Sequence, residues 1–221
     1  AKLVVADLSN IEGRVQAWLA GESWKLKAFR DYDNGTGFDL YALAYAKSFG
    51  VTPESVMADK EAGGNQRQIG KVQELALGYE GGVGAFVTFA AAYNIDLDEL
   101  AAKAAKAIPG NIWGQANIML DWHRGQGRDP HRALGLSEQA WLTCESFKLA
   151  WRDAHQNIAS FWKQLDETVR FAIDNPGKTY ICRSLKVRRD GAWLRIVLPS
   201  GRAVCYPSPA IEAGKITYMG I

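Results

Sequence analysis

The hydrophobic period of this chain passes from that of helices to that of strands at Asn175-Pro176-Gly177, and no other feature limits its fold as strongly. Before that point apolar residues recur at helical spacing, as in Ile158, Phe161, Trp162, Leu165 and Val169. After it, the runs TYICRSLKVRR, AWLRIVLP, RAVCYP and KITYMGI alternate with the period of a strand, separated by Asp190-Gly191, Ser200-Gly201 and Ala213-Gly214. Helices followed by hairpin-connected strands predict an α+β fold that ends in an antiparallel β-meander.

The helical part opens differently. KLVVA, residues 2–6, is a short β-rich apolar run, and residues 10–20 then place Ile11, Val15, Trp18 and Leu19 on one helical face. A strand, turn and helix are expected there. After the loop DYDNGTG, a helix is expected over 39–49 with Gly50 as a left-handed cap, followed by a turn at Thr52-Pro53. Further helices are expected over 66–79, from the GGVG at 81–84 into AFVTFAAAYN, and behind an Asp96/Glu99 capping box. Others follow over 111–124, from Ser137 to about 152, and over 157–173.

At 221 residues with 48% hydrophobic content, the chain can bury a sizeable core. It shows neither an apolar run of the roughly 18 residues a membrane span needs nor a secretory leader, and it reads as a cytosolic protein. Cys144, Cys182 and Cys205 lack any C-x-x-C, and His123, His131 and His155 lack ligand spacing, so neither a disulfide framework nor a zinc site is expected. The net charge of +2 is unevenly spread: from Lys178 onward eight basic residues face only Asp190 and Glu212. Such a segment is either a solvated hairpin surface or a place to meet a polyanion.

Two stretches carry possible chemistry. In VVADLSNIEGR, a strand that delivers Asp7 beside a helix N-terminus is one way to hold a divalent cation against phosphate oxygens, while Ser9 and Glu12 also spell a capping box. In NQRQIGKVQELALGYEGG, Arg67, Lys71, Leu75 and Tyr79 recur along one helical face. Two cations in the first turns oppose the helix dipole unless an anion sits there. Arg67 would then grip as a fork and Lys71 as a point charge; the alternative is a solvated face with Lys71 paired to Glu74. A P-loop is excluded, because Gly64 to Gly70 is one residue too long and Val72 follows Lys71. A dinucleotide fingerprint and a G-x-S-x-G nucleophile elbow are absent.

Together the two stretches resemble family A DNA polymerases, the DNA polymerase I type. DLSNIEGR resembles motif A, D-x-S-x-I-E-x-R, and RQIGKVQELALGY resembles motif B on the fingers helix. FDLYALAYAKSFGV resembles the run between them, and LPSGRAVCYP looks most like the phage and prophage branch. The resemblance implies a palm segment over 1–30, helical fingers over 31–135, helices returning toward the palm over 136–177 and a basic β-hairpin region over 178–221.

It also implies site roles. Asp7 and Lys71 would be catalytic, with Asp7 and the Leu8 carbonyl on Mg²⁺, two ions being expected in the complete enzyme. Glu12 would pack on the nucleotide sugar, Tyr41 would contact phosphate, Arg67 and Lys71 would hold the triphosphate, and Leu75 would lie over base or sugar. Tyr79 would sit at the templating base, with Arg183, Lys186, Arg188 and Arg189 on DNA. Leu75 replaces the family's aromatic residue, and Glu80 stands where Gly is usual. The implied activity is template-directed addition of dNTPs to a DNA primer.

The family's motif C, H-D-E, has no counterpart among these residues, since no His is followed by Asp-Glu. The chain therefore reads as a fragment with little or no polymerase activity by itself. The rival expectations are a non-catalytic nucleotide- or DNA-binding prophage remnant and a helical interaction module with a β-hairpin arm.

Overall fold

The computed structural model describes residues 3–5 and 8–220. It is α+β, as the change of period predicts, and divides into two compact units. One comprises Ala1–Ala17 and Glu22–Gln156, the other Trp18–Gly21 and Asn157–Ile221.

The helices of the first unit are α1 (Ile11–Ala20, whose last turn belongs to the second unit), α2 (Ser23–Asp33), α3 (Leu40–Phe49), α4 (Pro53–Glu61), α5 (Gln66–Leu77) and α6 (Val83–Ala92). They continue with α7 (Leu97–Ala104), α8 (Gly110–Gly125), the single turn α9 (Pro130–Ala133) and α10 (Glu138–Ala154). α10 is the axis of this unit. Its residues from Ala140 to Phe147 are all buried, as a helix surrounded by others must be, and it packs against α3, α5, α6, α7 and α8.

The caps follow the chemistry of the chain. Ser137 Oγ accepts from Ala140 N, Asp96 accepts from the amides of Asp98 and Glu99, and Gly50 ends α3 at φ 65°. Thr52-Pro53 is more than a turn: Thr52 caps α4 with Pro53 in its first turn, the position where a missing N–H costs nothing.

In the second unit, α11 (Gln156–Asp174) lies on one face of a four-stranded antiparallel sheet. The strands are β1 (Thr179–Cys182), β2 (Leu185–Asp190), β3 (Trp193–Val197) and β4 (Ala203–Pro207), in that spatial order; β5 (Ala210–Glu212) and β6 (Lys215–Thr217) form a separate hairpin. Val169, Ala172 and Ile173 of α11 meet Val187 and Leu194 in a closed core, with Ile211 and Ile216 packed at its edge. The run TYICRSLKVRR is two strands rather than one. Arg183, at φ 53°, turns the chain between them. No glycine marks this turn, so the period alone passes through it.

The strand expected over 2–6 requires correction at residues 3–5; residues 2 and 6 lie outside the described residues. Leu3, Val4 and Val5 carry no strand pairing and are almost fully exposed. Apolar β-branched residues extend readily, but a strand exists only where a neighbour takes its N–H and C=O groups, and no described residue does so.

Candidate functional site

α5 shows why its residues fall where they do. Ile69, Gly70, Val72, Gln73, Glu74, Ala76 and Leu77 are buried, so the half-exposed stripe left over is the one carrying Arg67, Lys71 and Leu75. Two carboxylates meet its N-terminus, one on a backbone amide and one on Arg67. Asp59 Oδ2 accepts from Gln66 N at 2.9 Å, and Asp39 Oδ2 accepts from Arg67 Nε at 2.9 Å.

Asp39 does two things at once. Its Oδ1 caps α3 by accepting from Tyr41 N at 3.0 Å and Ala42 N at 3.3 Å, while Oδ2 holds Arg67. Because the carboxylate takes only Nε, neither Nη of Arg67 donates to a described residue. The guanidinium lies 5.3 Å from the Tyr41 ring centre. Burial pushes the Tyr41 phenol upward, with Tyr93 and Glu74 adding to the shift and Arg67 and Asn10 opposing it.

These groups line a cavity of about 270 Å³ that also takes in Ser9, Asn10 and Arg14 from the start of α1. Arg14 is itself fixed by a bidentate pair with Asp33, at 2.6 and 2.7 Å, and lies over the Phe29 ring. Lys71 stands outside this cavity, its Nζ 4.3 Å from the Tyr93 ring centre, and pairs with no described carboxylate. The Lys71–Glu74 pairing considered from the sequence is therefore not formed.

Glu74 points inward and closes a buried cluster. Lys25 Nζ lies 2.5 Å from Glu74 Oε2, and Trp151 Nε1 donates to Oε1 at 2.9 Å. His155 is stacked on Trp151 and reaches within 3.3 Å of Oε1, so α2, α5 and α10 meet on one carboxylate. Burial alone would raise the Glu74 pKa, but the Lys25 ammonium, with His155 beside it, outweighs that and holds it at about 2.

The other predicted residues are placed as follows. Asp7 lies outside the described residues. Leu8 is exposed in an irregular segment, and Glu12 is exposed in the first turn of α1. α1 begins one residue later than a Ser9 capping box requires. Asn10, at φ 55°, precedes it, and Arg14 Nε donates to the Ser9 carbonyl.

Gln16 donates to the Gly78 carbonyl, joining α1 to the end of α5, and Tyr79 projects just beyond, largely exposed. Burial and the nearby carboxylates of Glu12 and Glu74 push the Tyr79 phenol up. The predicted nucleotide residues thus divide: Arg67 and Tyr41 share the cavity, while Glu12 and Tyr79 gather at the other end of α5.

In the second unit Arg183 and Arg189 are engaged by their own unit. Arg183 donates to the Ala20 and Asn157 carbonyls and to Gln164, and Arg189 to the Ile173 and Gly191 carbonyls. Lys186 and Arg188 remain exposed.

Sequence reasoning gave no site role to Asp39, Arg14, Asn10 or Lys25, and it set Glu74 beside Lys71 rather than Lys25. Asp39 was legible as a cap one residue before an apolar helical run, but its second oxygen finds Arg67 only through tertiary packing. Among the described residues no group of three His, Cys, Asp or Glu is placed to hold a metal ion.

No family model matches the chain, and no solved structure matches it. It is similar to a protein named DNA polymerase from Bacillus phage SP02, with 30% identity over 222 aligned residues that take in 98% of this chain. The chain is thus related in sequence to a phage DNA polymerase, of which it spans 26% of the length.

Proposed function

We propose that this chain supplies the nucleotide-gripping part of a template-directed DNA polymerase of family A, whose complete form adds dNTPs to a primer 3′-hydroxyl by a two-metal mechanism. The observation that carries the reading is the pair of cations one turn apart on the half-exposed stripe of an otherwise buried helix. Among the described residues Lys71 has no carboxylate partner, and the Nη donors of Arg67, which reach no described acceptor, belong to a side chain that lines a polar cavity. A triphosphate matches that arrangement: it accepts a fork from arginine and a point charge from lysine, and it offsets the helix-dipole cost of both.

In this reading Tyr41 adds a phosphate contact, Leu75 lies against base or sugar, and Glu12 and Tyr79 form the sugar and template end. Asp7, with the Leu8 carbonyl, is the metal-binding contribution. The palm and fingers assignments belong to the same proposal, as do DNA contacts by Lys186 and Arg188, the two exposed members of the expected basic cluster. A second metal-bridging carboxylate has no matching motif in these 221 residues, so the chain alone is expected to bind dNTP without extending a primer.

Titration with a dNTP tests this. Arg67→Ala should weaken binding by about 1.5 to 3 kcal/mol, the worth of a hydrogen bond to a charged group, and an unchanged affinity would exclude the triphosphate role. In a longer polymerase containing this segment, Asp7→Ala should abolish extension while DNA binding persists. Normal extension by that variant would remove the metal role.

A further inference from the structure

The sheet of the second unit has one face closed by α11 and one left open, and the open face has a composition of its own. Alternation along the strands sends Val187, Leu194 and Ile196 toward α11. The register sends Lys186 and Arg188 of β2, Trp193 and Arg195 of β3 and Ile181 of β1 the other way. Arg188 stands directly opposite Arg195 across the β2–β3 pair, and Lys186 directly opposite Ile181. Ile181 is 72% exposed and Trp193 45%.

Charge on this face is incompletely matched. Asp190 is the only acidic residue in β1–β4. It lies 2.5 Å from Arg188 and 4.0 Å from Arg195, so one carboxylate serves two guanidiniums. Lys186 has no ion-pair partner among the described residues. Two like charges directly opposed across a ladder destabilise it, and a chain of phosphates reverses that sign. An exposed indole next along this face from the Arg188–Arg195 pair is also what a nucleic-acid base stacks on, whereas a protein partner of ordinary acidic character would leave Trp193 and Ile181 unexplained.

We propose that the open face of β1–β4 is a binding surface for single-stranded DNA, with Lys186, Arg188 and Arg195 on successive phosphates and Trp193 stacked on an unpaired base. The surface is separate from the nucleotide cavity. It differs from the basic cluster read from the sequence: Arg195 and Trp193 enter, while Arg183 and Arg189 stay tied to carbonyls of their own unit.

The test is fluorescence anisotropy of a labelled oligo-dT and a labelled duplex against the full chain, across a salt series. Combined Lys186→Gln, Arg188→Gln and Arg195→Gln should weaken oligo-dT binding at least tenfold at low salt. The log–log salt slope should fall by about 2, as expected for three phosphates on a single strand. Trp193→Ala should weaken oligo-dT binding about 5- to 150-fold, and Trp193→Phe, which keeps a ring, should restore most of it.

Combined Lys60→Gln, Lys103→Gln and Lys106→Gln, which removes three exposed lysines of the first unit, should leave the slope unchanged. The proposal is overturned if the sheet variants bind like the parent, if the lysine control loses as much slope, or if the duplex binds more tightly than the single strand. Titrating the sheet variants with dNTP keeps the two proposals distinct. An intact nucleotide site with no DNA binding removes this surface alone, whereas DNA binding without nucleotide binding removes the cavity reading alone.

Discussion

Asp39 is the residue on which the cavity turns. One oxygen satisfies two orphan amides at the start of α3 and the other holds Arg67, so the two roles can be separated by substitution. Asp39→Ala should cost about 1 kcal/mol of stability through the lost cap. Asp39→Asn keeps a capping oxygen and should cost distinctly less while still breaking the ion pair. Urea unfolding of both variants measures the difference, and equal losses would show that the pair with Arg67, not the cap, is what stabilises. Arg67 itself was legible in the sequence as a cation recurring with Lys71 along a helix. Its partner was not, because Asp39 and Arg67 are 28 positions apart and meet only when α3 packs on α5.

That packing depends on one glycine. A Cβ added at Gly70 would stand 2.1 Å from the Tyr41 carbonyl oxygen, a backbone atom that cannot swing away. Gly70→Ala should therefore destabilise by about 1 to 3 kcal/mol despite the higher helix propensity of alanine. It should weaken dNTP binding as well, since Tyr41 and Arg67 sit on the two helices forced apart. Gly114 in α8 has open space around its missing side chain, and Gly114→Ala should instead gain up to about 1 kcal/mol. Urea midpoints of opposite sign for the two variants are the expected outcome. At this scale the sequence was readable where caps and period agreed, as for α3, α7 and α10. It was silent at α4, where Thr52-Pro53 looked like a turn alone, and at the β1–β2 turn, where arginine takes a left-handed conformation usually left to glycine or asparagine.

At the scale of the molecule, the first unit is tied together by charge as well as by apolar packing. Glu74 carries a pKa of about 2 against an ordinary 4.5, so the stability it contributes is present above pH 4.5 and is lost as pH falls toward 2. Acid titration of the urea midpoint should show that loss across this window. Glu74→Ala at neutral pH should cost about 3 to 5 kcal/mol, because it strands the Lys25 ammonium in the interior. Replacing both partners, Lys25→Met with Glu74→Leu, should be far milder and should remove this part of the acid dependence. A double variant as unstable as Glu74→Ala would mean that Trp151 and His155, rather than the ion pair, hold α2, α5 and α10 together. The sequence by itself determined the α+β order, the helix with two cations on one stripe and the basic character of the strand region. Each of these rests on short-range periodicity or on charge counted along the chain. Only the tertiary structure decided that Glu74 turns inward to Lys25, that Asp39 holds Arg67, that Leu3–Val5 form no strand, and which arginines of the sheet remain open. Those outcomes depend on which groups burial brings together, and residues distant along the chain carry no local mark of the partner they will meet.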